Sequence, residues 1–468
     1  MRGAKAPFLF LGSGIIRESC EWSPLLFSVF NKKPSITGIE VFKDVISQEY
    51  HGINHRDLSH GSLRVIEILQ RSGHEAYLVG GGIRDLLLGK NPKDFDVATN
   101  ARPAEIQKLF RKSRIIGRRF QIVHVRMGPE IIEVTTFRGS AENSHKRQAN
   151  ASGMLVRDNV FGSVEDDAVR RDFTMNALYY NPSNNEVIDF VGGYDDLEDG
   201  VIRIIGDPET RYREDPVRML RAVRFIGKLG LELETETAEP IQRLAPLLRD
   251  VSPSRLFDEI LKLLQAGHGH STFPQLLKYD LLRPLFPQSE ALITEADGLR
   301  HRRLIDLALL NTDARLNEGK SVTPAFLFAS LHWPQVQHRW VELEKEGHGR
   351  TQALAIACSE TLDFNQQFIA IPKRFSITIR EIWEMQVRLE KRHGRRPDSI
   401  LEHPRFRAGY DFLLLRERSG EMPGGLGDWW TQYQTADEAQ RRGLIAAVND
   451  GDEEQPKRSP RRKSRRRD

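Results

Sequence analysis

The sequence predicts an α+β protein: a head of mixed sheet and helices, then an all-helical neck and body, then a basic tail that is disordered. Three observations predict this. Strand-like runs rich in β-branched residues alternate with helical stretches up to residue 205, whereas helical periodicity dominates from there to residue 436. The closing KRSPRRKSRRRD (457–468) holds eight Lys or Arg against one Asp and nothing that builds a core. These shifts divide the chain into a poorly ordered leader (1–55), the head (56–205), a neck (206–270), a body (271–436) and the tail (437–468).

The head opens with SLRVIEILQRSG (62–73), an amphipathic helix with Val65, Ile66, Ile68 and Leu69 on its apolar side and Gly73 at its end. AYLVGG (76–81) reads as a buried strand, GGGIRDLLLGK as a glycine turn opening a helix, and DFDVAT as a second strand. PAEIQKLFRKS (103–113) is a short helix with Pro103 near its start. FQIVHVRMG and EIIEVTTFR, joined at Gly128-Pro129, form a hairpin. The polar stretch 139–163 reads as a mobile loop, and DFTMNALYYN and EVIDFVGG supply further strands. Beyond residue 205, DPVRMLRAVRFIGKLG and SRLFDEILKLLQAG are helical. Trp429 and Trp430 can stack on bases, but paired tryptophans at a domain edge pack into a core more often.

Composition narrows the class. With 468 residues, 39% of them hydrophobic and 29% charged, the chain has the make-up of a globular protein of several domains. Its only cysteines, Cys20 and Cys358, are too few for a disulfide framework or a cysteine metal site, which suits a reducing cytoplasm. No run reaches the roughly 18 apolar residues of a membrane span. The opening MRGAKAPFLFLGSGII mimics a secretion signal without its cleavage site, and reads as a disordered leader or an overextended start. The tail's net +7 exceeds the +4 of the whole chain, so the remainder is net −3. Such an arm binds polyanions or merely solubilises.

The chemistry lies where strand, glycine turn, helix and paired-Asp strand follow one another. Asp94 and Asp96 alternate with Phe95, so on a strand both carboxylates face one way while Phe95 enters the core. A solvated strand edge would explain an isolated pair. Set a dozen residues after Gly80, Gly81 and Gly82, the pair instead suggests a metal site beside a phosphate cradle, with Arg84 and Asp85 in the first helical turn. Two-metal phosphoryl transfer needs bridging carboxylates, and Glu133, an acid between Ile132 and Val134 in a strand, is the best-placed third ligand. Hard oxygen donors favour magnesium. In RRDFTMNALYY (170–180), Asp172 is placed to hold a ribose hydroxyl and Arg171 a phosphate. In REDPVRMLRAVRF (213–225), Glu214, Arg218 and Arg221 fall on one helical face with Asp215 alongside, either as helix-supporting pairs or as donors and acceptors for a base edge.

LVGGGIRDLLLG, PKDFDVAT, RRDFTMNALYY and REDPVRMLRAVRF resemble, in order and spacing, the signature blocks of the class II nucleotidyltransferases of the polymerase-beta superfamily. That family comprises bacterial poly(A) polymerases and tRNA CCA-adding enzymes. The resemblance is dense over residues 62–270. It implies a polymerase-beta-like nucleotidyltransferase head in which Asp94 and Asp96 hold the catalytic magnesium ions. It further implies that Asp172 acts through the ribose, and that Glu214, Asp215 and Arg218 face the incoming base. IIGRRFQIVHV (115–125) is similar to the block that marks the poly(A) branch, and IPKRFSITIREIW (371–383) and LEHPRFRAGYDFLLLR (401–416) are similar to the C-terminal region of that branch. The expected activity is therefore template-independent transfer of AMP from ATP to single-stranded RNA 3′ ends, with two Mg²⁺ ions that Mn²⁺ can replace. A monomer and protein partners in RNA decay are expected. The rivals are a CCA-adding enzyme and an RNA-binding protein that has lost activity.

Overall fold

The computed structural model describes residues 39–117, 121–139, 148–149, 155–157, 160–296 and 298–453. In chain order the head comprises β1 (Asp44–Ile46), α1 (Gln48–His51), α2 (His60–Arg71), β2 (Ala76–Val79), α3 (Gly81–Leu87), β3 (Asp96–Thr99), α4 (Pro103–Leu109) and β4 (Ser113–Ile116). It continues with the hairpin β5 (Ile122–Met127) and β6 (Glu130–Thr136), the short pair β7 (Gln148–Ala149) and β8 (Leu155–Arg157), α5 (Val164–Arg170), β9 (Leu178–Asn181), β10 (Glu186–Asp189) and α6 (Gly193–Glu198). A second short pair, β11 (Val201–Ile202) and β12 (Glu232–Leu233), ties the head to α7 (Pro208–Glu214) and α8 (Val217–Leu229). Then come α9 (Thr235–Leu244), α10 (Pro253–Leu264) and the body helices, from Gly269–Lys278 to Glu438–Glu453.

Eight strands form one sheet in the order β1-β10-β9-β2-β3-β6-β5-β4, antiparallel throughout except where β3 runs parallel to β6. Period-two alternation gives this sheet two different faces. Val97, Val123, Val125, Ile132 and Val134 point into the main core, where α2 and α4 cover them. The opposite face is covered only in part: Val79, Ala98 and Tyr179 pack with Ala168 and Val169 of α5 and with Phe137 and Phe190. Beyond β3, that face stays open among the described residues.

The α+β expectation holds, with four local corrections. Residues 39–55, assigned to a poorly ordered leader, are folded. Ile46 and Ile53 bury in the core and β1 pairs with β10, so hydrophobic burial and strand pairing override the polar look of the segment. The region 437–453, assigned to the tail, carries the helix Glu438–Glu453, because Leu444, Ile445 and Val448 pack against the cluster around Trp429. The short helix after Pro103 stops at Leu109, and Ser113 already belongs to β4. Finally, REDPVRMLRAVRF is not one helix. Glu214 ends α7, and Pro216, which has no N–H to extend the hydrogen-bond ladder, separates it from α8. The leader 1–38, the Arg118–Phe120 portion of the branch-marking block, most of the loop 139–163 and the basic run 457–468 lie outside the described residues.

Trp430 and Tyr433 are fully buried and Trp429 is nearly so, which settles the tryptophan pair as core. Among the described residues no helix is long and apolar enough to cross a membrane.

Candidate active site

Strand register assembles the acidic half of the site. Asp96 stands opposite Val79 on β2 and opposite Glu133 on β6, and Glu133 stands opposite His124 on β5. Residues opposed in this way share a face, so Asp96, Glu133 and His124 form a row on the open side of the sheet. The Asp96 carboxyl is pushed up to about 6, first by burial and then by the charge of Glu133, with Asp94 adding to the effect and Arg171 opposing it. Glu133 is partly held by His124, whose Nε2 lies 3.3 Å from Oε1. The strand begins at Asp96, so Asp94 precedes it as an exposed residue rather than sharing its pleat, and Phe95 is only half buried against the core. Asp94 still contributes through its charge.

These residues fit a divalent cation. A partly buried carboxylate raised by two acidic neighbours is relieved by a bound positive ion, and hard oxygen donors suit magnesium. Among the described residues, no three His, Cys, Asp or Glu side chains are gathered closely enough to make a closed cage. Asp96 is coupled by charge to Glu133 and Asp94 without the three closing into such a cage.

The glycine turn lies directly against this row. Gly80 adopts φ +72°, and a Cβ there would stand 3.5 Å from Arg171 Nη1 and 3.9 Å from Asp96 Oδ2. Gly82 is spare for a different reason. A Cβ on it would meet Phe95 Cδ1 at 3.1 Å and the Asp94 carbonyl oxygen at 3.2 Å, so its missing side chain lets α3 close on the acidic segment. Gly81 opens α3 beside the Arg84 guanidinium.

Arg84 and Asp85, expected at the nucleotide, are instead turned into the interior. Arg84 donates to Asp85 Oδ1 from Nε (2.9 Å) and Nη2 (2.6 Å) and to Asn176 Oδ1 from Nη1 (2.6 Å), and it stacks 4.9 Å from the Phe225 ring centroid. Lys228 Nζ reaches Asp85 Oδ2 at 2.8 Å. This buried network clamps α3 to α8 and thereby the head to the neck.

The opposite wall is cationic. Arg171 donates to Asp167 Oδ2 from Nη2 (2.9 Å) and to the Tyr179 hydroxyl from Nε (3.0 Å), while Tyr179 itself donates to Asp167 at 2.7 Å. Burial works against its charge, but Tyr179 and Asp167 outweigh burial and hold it firmly protonated. Asp172 accepts from Arg221 Nε at 2.6 Å, Asn176 Nδ2 at 3.0 Å and the Phe173 amide at 2.9 Å. Burial alone would raise its carboxyl; these three partners, Arg221 foremost, hold it far below the usual carboxylate range.

Across the Pro216 break, Glu214 Oε2 accepts from Arg211 Nη1 (2.8 Å) and Arg218 Nη1 (3.1 Å), and Arg255 of α10 reaches Asp215 Oδ2 at 2.7 Å. Arg211 is lowered to about 10 by burial and by the charge of Arg218. Its Nε and Asp215 Oδ1 are buried and unpartnered, a donor and an acceptor left over at the cleft wall.

Together these side chains line a cleft of about 380 Å³ that brings Asp96, Glu133, Arg171, Asp172, Asp215, Arg218 and Arg221 into one space. Glu214 braces its arginines from behind. Arg138, Asp167, Arg211, Arg255 and Glu259 also line it and were not expected. Asp167 sits four residues before Arg171, a spacing that helix geometry makes readable. Arg255 and Glu259 arrive from α10, some thirty residues beyond the nearest recognised block, and only tertiary packing reveals them.

Residues 76–203 match the family model described as Poly A polymerase head domain, residues 230–293 that of Probable RNA and SrmB- binding site of polymerase A, and residues 346–468 that of Polymerase A arginine-rich C-terminus. The chain is 50% identical to Poly(A) polymerase I of Escherichia coli O6:H1 over 430 residues, covering 90% of this chain and 91% of that one. It is 48% identical to Poly(A) polymerase I of Haemophilus influenzae over 412 residues, 86% and 90% of the two chains. Among solved structures, the Bacillus stearothermophilus CCA-adding enzyme in complex with CTP aligns with TM-score 0.50 at 27% identity, covering 83% of this chain and 82% of that one. With the polymerase models matched along its head, neck and end, and with half of its residues shared over nine-tenths of its length, the chain belongs to the poly(A) polymerase I family.

Proposed function

We propose that this cleft transfers AMP from ATP to the 3′ end of RNA without a template and releases pyrophosphate. The observation that carries the reading is the Asp96–Glu133 row set against an arginine-lined wall in one cleft, in a chain of the poly(A) polymerase I family. Nucleotidyltransferases of this family use divalent metal ions. Asp96, Glu133 and Asp94 would hold magnesium here, two ions in all, with manganese as a substitute. The bound ions would lower the pKa of the RNA 3′-hydroxyl and neutralise the triphosphate.

The chain's own residues supply position and charge. Arg171, fixed by Asp167 and Tyr179, presents a permanent positive charge beside Gly80 and Asp96, suited to a phosphate group. Asp172 keeps its ionised form at all working pH values. Arg221 approaches its Oδ2 with both Nε and Nη2 while Asn176 and the Phe173 amide take Oδ1, so a ribose hydroxyl would bind Asp172 by displacing or sharing one of these four contacts. The unpartnered Asp215 Oδ1 and Arg211 Nε offer an acceptor and a donor to a base edge, and Arg218 and Glu214 hold that edge of the cleft rigid. Arg84 and Asp85 act at one remove, by locking α3 to α8.

Presenting one nucleotide at a time to a generic RNA oligomer tests the reading. Long tails from ATP alone are expected. Cytidine addition to tRNA shortened at its 3′ end would make the protein a CCA-adding enzyme, and RNA binding without extension by any nucleotide would make it an inactive binder.

A further inference from the structure

The acidic row continues past His124 to the edge of the sheet, where Arg114 on β4 stands opposite His124 in register. The open face therefore carries one uninterrupted line from Asp96 through Glu133 and His124 to Arg114. At about 4.8 Å per strand, its far end lies roughly 14 Å from Asp96. Around Arg114 opens a groove of about 760 Å³, distinct from the cleft. Arg111, Lys112 and Arg126 share it with Arg114, and among the described residues no Asp or Glu lines it. Exposed Ile131 (60%) and Ile116 (41%) stand among these cations on the same face of the sheet.

We infer that this groove is a track for the RNA strand upstream of the reacting 3′ end, with the cations on its phosphates and the two isoleucines against its sugars and bases. Charge complementarity selects a polyanion, and continuity with the Asp96 row selects the strand whose end reaches that row. Edge strands often carry Lys and Arg to block pairing with other chains. That accounts for Lys112 and Arg114. It does not account for Arg126, which lies on an interior strand, nor for Ile131, an apolar side chain left open on β6. The inference rests on the reading of RNA as substrate and adds a binding surface on the head to the helical body and the tail.

The test compares R114A/R126A with the parent protein in two assays: fluorescence anisotropy of labelled oligo(A) across salt concentrations, without ATP, and extension kinetics with ATP. The double variant is expected to bind long oligo(A) about tenfold more weakly. Its slope of log affinity against log salt should flatten by about 1.4, at about 0.7 for each phosphate that is no longer neutralised. Its KM for RNA should rise while its KM for ATP stays put, and the defect should shrink for a trinucleotide too short to reach the groove. R126E should exceed R126A. R64A/R71A, which removes two exposed cations from α2 on the covered side of the sheet, should change little; an equal loss there would reduce the groove to bulk charge and overturn the inference. Unchanged RNA affinity and slope, or a rise in the KM for ATP alone, would also overturn it. A parent protein that binds RNA but never extends it would fail the proposed function while leaving the groove measurable by anisotropy.

Discussion

Replacing Asp96 by asparagine should stabilise the metal-free protein. The Asp96 carboxyl rises from an ordinary value of 3.8 to about 6 on folding, because burial and then Glu133 and Asp94 disfavour its charge. A raised carboxyl pKa means that the folded state holds a proton that the unfolded chain has already released. Stability from this group is therefore greatest below the unfolded value and falls as the pH rises through the folded one. Two units at 1.36 kcal/mol each give about 3 kcal/mol lost above pH 6, with about half of that still lost at pH 5. The side-chain amide of D96N has no such proton to release. In chelator at pH 8, D96N should melt several degrees above the parent, at about 2–4 °C per kcal/mol for a unit the size of the head. The gap should close toward pH 4. Magnesium should then raise the melting temperature of the parent protein by relieving the same repulsion, and should do little to D96N. Differential scanning calorimetry across pH, with and without the metal, reads all of this without an activity assay. A D96N protein no more stable than its parent at pH 8, or a gap that ignores pH, would refute the crowded-carboxylate account.

Removing Arg221 strands the buried Asp172 charge, so R221A should lose about 3 kcal/mol in urea unfolding. The loss should shrink as the pH falls below the ordinary carboxylate range, since a depressed carboxyl pKa lends its stability only above that range, and D172N/R221A should recover part of it. Deleting residues 457–468 should flatten the salt dependence of RNA binding by about 0.7 per phosphate released, and an unchanged slope would mean the tail does not touch RNA.

The legible part of the site was the part encoded locally. Glu133 betrayed itself as an acid between Ile132 and Val134, and the register of β6 against β3 turned that oddity into a neighbour of Asp96. What was not legible depended on tertiary direction. Arg84 and Asp85 follow the glycine turn just as nucleotide ligands would, but α3 rotates them toward Asn176 and Lys228. Nothing in a one-dimensional pattern distinguishes the two faces of a helix seven residues long when both are buried. The Glu214–Arg218 pairing was correct in its partners and wrong in its geometry. A single helix places them at i and i+4, whereas Pro216 breaks the helix and the same ion pair spans the junction. The isolated charge inside a hydrophobic run therefore reported its place beside Asp96, while residues in amphipathic runs reported only that they were charged.

The charges of the cleft bear on the proposed divalent cation. Seven arginines line the space, Arg138, Arg170, Arg171, Arg211, Arg218, Arg221 and Arg255, and they face six acids, Asp96, Glu133, Asp167, Asp172, Asp215 and Glu259. A wall so nearly balanced is no general trap for anions. Asp167 already engages Arg171, Asp172 engages Arg221, and Asp215 engages Arg255. A triphosphate entering alone would gain little from arginines already committed to carboxylates, and would meet Asp96 and Glu133 as repulsive neighbours. Entering with a divalent cation, as proposed, it would turn those two acids from obstacles into candidate ligands. ATP should accordingly bind weakly in chelator and much more tightly with the metal, and D96N should narrow that difference from both sides by weakening the metal-bound complex and removing part of the repulsion from the free one. Isothermal titration with ATP in each condition measures both. Equal ATP affinity with and without the metal would mean that the arginine wall alone seats the nucleotide and that the acidic row has some other task.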